Sequence, residues 1–159
     1  TYINSDYLIY KFEFINIHPN ASASFTFNVS IDNGSNYNVT KTTTYFRAYH
    51  AENGSGAALA YDAPVDLAQS TAYQDLTGDS LGTDSDMGVS GCLYLFNPSS
   101  TVFVKHFMTD INSNKSNNET KNSFAAGYAN TTSAVNAIDF KMDSDTIGSG
   151  VIKLYGLGN

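Results

Sequence analysis

Tryptophan is absent from this 159-residue chain, cysteine occurs once and proline three times, and only 14% of residues are charged. Each shortage excludes something. A single cysteine, Cys92, rules out an internal disulfide framework. It lies in the apolar run GCLYLF, which marks a buried structural thiol rather than a reactive one. Eight Lys and Arg stand against 15 Asp and Glu, giving a net charge of −7 and a pI near 4.6. Phosphate neutralisation needs clustered basic side chains, so nucleic acid is not an expected partner, nor is an anionic membrane surface. No run approaches the ~18 apolar residues of a membrane-spanning helix, and no signal-peptide pattern is present. The chain starts at Thr1 and runs directly into a strand-like stretch. That start suggests that an N-terminal segment of a longer protein is missing.

Chemistry-bearing patterns are equally scarce. His18, His50 and His106 share no metal-ligand spacing. The three glutamates, Glu13, Glu52 and Glu119, do not suggest the carboxylate pair of a glycosidase. No Gly-x-Ser-x-Gly and no phosphate-cradling glycine loop occurs. Asp84 and Asp86, with Asp79 nearby, could offer oxygen ligands to Ca²⁺, but the distal Glu of a calcium loop is missing. A solvated acidic loop is the better reading. Eight Asn-x-Ser/Thr sequons occur in a chain so rich in these residues that chance accounts for them. The expectation is a non-enzymatic protein without metal or cofactor.

What the chain has instead is Asn, Ser and Thr, 17, 18 and 15 of them, and 13% aromatics, with 11 Tyr and 10 Phe. Period-2 alternation recurs between polar turns, the mark of half-buried strands. It runs through 7–17, 24–31, 43–49, 91–97, 101–108, 124–130, 134–142 and 150–157. The predicted architecture is therefore one all-β domain over 1–159. It is expected to be an antiparallel β-sandwich of about eight strands, with the jelly roll as leading topology. Phe12, Phe14, Phe25, Phe27, Phe46, Tyr94, Phe96, Phe103 and Phe107 are expected in its core. Ile152 and Leu154 should point into that core too, so that Leu154→Asp would unfold the domain.

The stretch 51–90, rich in Gly, Ala, Ser and Asp, reads as a long excursion, and 112–122 (NSNKSNNETKN) reads as a polar loop. Excursions of such length are often functional. Tyr61 and Tyr73 lie within the first, among small polar residues. Burial beneath the loop is the plain reading. Contact with a sugar or a neighbouring subunit is the functional one.

Several stretches in order carry a resemblance: YKFEFINIHP, DNGSNYN, SGCLYLFNPSSTVFVKHF and AGYANTTSAVNAIDFKMDSDTIGSGVIKLYGL. Together they resemble a family of small β-rich virion proteins of tailed bacteriophages. The matching pieces are Asn97-Pro98-Ser99-Ser100, Thr132 to Ile138 and Gly150 to Leu157. The resemblance implies a non-enzymatic surface module on a capsid, as decoration or head fibre, or on a tail fibre. It would self-associate as a homotrimer beside other virion proteins. The alternative is a carbohydrate-binding tip that recognises host glycan. This chain departs from the family pattern in adding Gly158-Asn159 after Tyr-Gly-Leu. The family implies no active site.

Overall fold

A computed structural model describes residues 3–115 and 117–158. Ten strands make up the fold: β1 (Ile9–Pro19), β2 (Phe25–Ser30), β3 (Lys41–Ala51), β4 (Ala57–Tyr61), β5 (Gln74–Asp75), β6 (Gly88–Phe96), β7 (Lys105–Lys115), β8 (Glu119–Ala129), β9 (Ala137–Met142) and β10 (Ile147–Leu157). No helix occurs among the described residues. Seven strands form one sheet in the order β10-β1-β6-β7-β8-β3-β4, and three form the other, β5-β2-β9. All pairings are antiparallel. The fold is the expected β-sandwich, with ten strands rather than eight and with very unequal sheets.

Alternation explains the inner face of the large sheet. Tyr10, Phe12 and Phe14 of β1 are buried, as are Leu93 and Leu95 of β6 and Phe107 and Ile111 of β7. A bulge interrupts β1 where Asn16 takes φ 49°, and the pairings with β6 and β10 both slip there. The extra residue resets the phase, so Ile17 is buried instead of Asn16. Gly91 of β6 comes so close to β7 that a Cβ on it would lie 2.2 Å from the Asp110 carbonyl oxygen. Only glycine fits that approach.

The small sheet closes the core. Phe25 and Phe27 of β2 meet Phe14 and Phe107 edge-on, at centroid distances of 5.1 and 4.9 Å. Phe140 of β9 packs on Phe12 and Phe14 at 5.1 and 5.0 Å. All six residues of β2 are buried because its other face is covered as well. The segment 67–76 crosses there, bonded first to β3 (Lys41 N–H to Ser70 O, 2.8 Å) and then to β2 (Leu76 N–H to Phe25 O, 2.8 Å).

Several expectations are corrected. The polar stretch 112–122 is not a loop: it forms the far halves of β7 and β8, joined by a turn whose Asn118 has φ 56°. The stretch 51–90 contains β4, β5 and the start of β6. Residues 101–104 form no strand, and Phe103 is 68% exposed rather than core. Phe46, Tyr94 and Phe96 lie on the outward face of the large sheet, since three strands cannot cover both sides of seven. Cys92 shares that face and is half-buried, with burial holding its thiol above the ordinary value.

Candidate functional site

The outward face of the seven-stranded sheet is apolar over much of its extent. Residues opposite one another in antiparallel register share a face, so strand pairing defines its rows. One runs Lys153–Glu13–Cys92–Asp110 across β10, β1, β6 and β7, and continues through Phe124, Phe46 and Tyr61 on β8, β3 and β4. Phe46 and Phe124 stack at 4.9 Å, and Phe46 remains 41% exposed. Tyr61, singled out in the sequence, ends this aromatic ladder at 57% exposure, with its hydroxyl donating to Asp66. A second row holds Tyr155, Lys11, Tyr94 and Met108.

The charged strand residues of this face are Lys11, Lys153, Glu13 and Asp110, which sum to zero on a chain of net charge −7, and Asp66 adds one carboxylate at the Tyr61 margin. Lys11 and Glu13 pair at 2.6 Å. The strand β10 extends the surface around the sheet edge. Val151, Ile152, Leu154, Tyr155 and Leu157 are all 38–49% exposed, on both faces of the strand. Ile152 and Leu154 therefore line an open margin rather than the core, contrary to expectation. Gly156 lies inside β10, where a Cβ would strike the ring of Tyr7 at 2.1 Å.

Tyr73 has a different setting from Tyr61, and the fold does not bring the two together. It precedes β5, half-buried, and donates to Asp139 Oδ2 at 2.9 Å. The Lys141 ammonium lies 4.2 Å from its ring centroid. Burial, then the Asp139 carboxylate, push the Tyr73 hydroxyl pKa up.

An open cleft of about 620 Å³ lies at one end of the large sheet, lined by His18, Asp86, Ser90, Asn112 and Asn114 among others. The acidic loop GTDSDMG forms one wall, tied down where the His18 ring meets the Asp84 carbonyl at 3.1 Å. Its lining of amides, hydroxyls and one carboxylate suits a hydroxyl-rich ligand. No group of three His, Cys, Asp or Glu side chains is arranged to hold a metal ion among the described residues.

Asp79 is not part of that loop's solvated surface. It turns toward β3, β7 and β8, where its Oδ2 accepts from Arg47 (2.9 Å), Lys115 (2.7 Å) and Lys121 (2.8 Å). Lys121 is fully buried, and among the described residues this is the one carboxylate it pairs with. The sequence offered no signal for this cluster beyond the coincidence of charges in distant segments. No protein-family model, curated protein or solved structure matches the chain.

Proposed function

We propose that this protein is a non-enzymatic structural module of a bacteriophage particle that self-associates through the outward face of its large sheet. Its place is the capsid surface, as decoration or head fibre, or a tail fibre. The observation that carries the reading is the apolar, charge-balanced face on an otherwise acidic protein. Two acidic copies repel, but faces whose strand residues sum to zero charge can meet without that penalty. Seven strands spaced about 4.8 Å apart give a face about 30 Å wide, enough for the roughly 800 Å² per partner of a standard interface. The second copy is thus the occupant that size and charge favour. The virion assignment rests on the resemblance of the Asn97–Ser100, Thr132–Ile138 and Gly150–Leu157 stretches.

Light scattering coupled to size exclusion tests the association. A trimer is expected for the wild-type chain, and a monomer for Phe46→Glu. A wild-type monomer at micromolar concentration overturns self-association, and particles left bare by gold-labelled antibody overturn the virion assignment.

The polar cleft favours a second reading, a receptor-recognition tip that binds host glycan. Glycan-array binding that is lost in Asp86→Ala supports it, and a blank array removes it.

A further inference from the structure

Lys41 and Asn28 present a pair of groups that the packing alone does not explain. Both are fully buried, Lys41 as the first residue of β3 and Asn28 in the middle of β2. Among the described residues no carboxylate pairs with Lys41: its Nζ donates to Asn28 Oδ1 at 2.5 Å and to the Val39 carbonyl at 3.0 Å. An isolated buried ammonium is among the costliest groups a protein can hold. Burial accordingly lowers the Lys41 pKa to about 8, which makes free amine available near neutral pH. A free amine is a nucleophile, and the group in front of it is a carboxamide.

The surroundings of Asn28 suit an attack at its carbonyl carbon. With Nζ 2.5 Å from Oδ1, ordinary amide geometry places Cγ about 3.3 Å from Nζ, so the amine has only to swing from the oxygen side to the face of the carboxamide to attack. The Val29 N–H donates to the same Oδ1 at 2.9 Å, ready to receive the charge that would develop there. Nδ2, the leaving nitrogen, is held by the carbonyls of Tyr37 and Thr71 at 2.7 and 3.0 Å.

We propose that Lys41 and Asn28 become joined by an isopeptide bond that ties the small sheet to the large one. The neutral Nζ adds to Cγ, and the Cγ–Nδ2 bond breaks. One Nζ proton passes to Nδ2, which departs as ammonia. The product is a secondary amide, and no oxidant or co-reactant is consumed. The linkage removes the buried charge and turns a hydrogen bond between β2 and β3 into a covalent tie.

Intact-mass measurement of the denatured full chain tests this directly. The expected mass is lower than the sequence mass by one ammonia, about 17 Da. A tryptic digest should contain a branched peptide joining the Asn28 and Lys41 segments, with no cleavage after Lys41. Lys41→Met should regain the full sequence mass. A wild-type chain at full mass, with the two peptides separate, overturns the proposal whatever the variants do. So does an ammonia loss that maps to a succinimide at Asn33-Gly34 or Asn53-Gly54.

Discussion

The strands β2 and β10 read alike in the sequence, each an alternating apolar run beside a turn, yet they have opposite fates. Every residue of β2 is buried, whereas β10 has none buried along its eleven residues. The difference comes from position. β2 is the middle strand of the small sheet, with the large sheet on one side and the 67–76 crossing on the other. β10 is the edge strand of the large sheet, and among the core's partly buried neighbours it supplies Ile147, at its start. Periodicity therefore reports that a strand forms, and sheet order decides what the strand buries.

Substitutions at matched positions should expose this contrast. Phe27→Ala in β2 removes a ring packed on Phe107 and should cost about 4 kcal/mol, read from urea denaturation. A loss below about 1 kcal/mol would show that the core can collapse around the gap. Asp79→Ala strands the buried Lys121 ammonium and should cost about 2 kcal/mol, below the usual figure for a broken buried pair because Asp79 itself is 41% exposed.

The same carboxyl gives a pH dependence. Burial works to raise its pKa, but hydrogen bonds from Lys115 and Lys121 outweigh burial and hold it below the ordinary carboxylate range. Its contribution is therefore complete above the unfolded value of about 4 and declines as the pH falls through the lower folded value. Acid titration of stability should be flatter for Asp79→Asn than for wild type, and identical profiles would remove Asp79 from the account.

In β10 the effects should be small. Gly156→Ala has to displace the Tyr7 ring, at a cost of about 1 kcal/mol. Leu154→Asp, 39% exposed, should change stability by less than about 1 kcal/mol. Cooperative unfolding of that variant at room temperature would return β10 to the core.

The strands easiest to recognise in the sequence were those whose inner face is apolar, such as β1 with Tyr10, Phe12 and Phe14. The far halves of β7 and β8 escaped because Ser113, Lys115, Lys121 and Ser123 occupy their inner positions. There Asp79 supplies by ion pairing what hydrophobic contact supplies elsewhere, and charge pairing leaves no period in the sequence. β4, with the sequence AALAY, shows no alternation, being a short edge strand with little to bury. Of the candidate surface, Tyr61 was singled out in the sequence, but its plain reading was burial and the structure leaves it exposed. Its neighbours Phe46 and Phe124 are not next to it in sequence, and alternation alone assigned Phe46 to the core.

The placement of β1 and β2 has a consequence for synthesis. β1 is hydrogen-bonded on its two sides to β6 and β10, and the longer partner of β2 is β9. A chain emerging from the ribosome must therefore hold its first phenylalanine-rich strands without their neighbours until the last of these segments has been made. Such distant pairings fold slowly and leave strand edges open to wrong partners in the meantime. A nascent chain halted before residue 137 would lack β9 and β10 and have neither sheet complete, so this module forms once those strands are made rather than piece by piece.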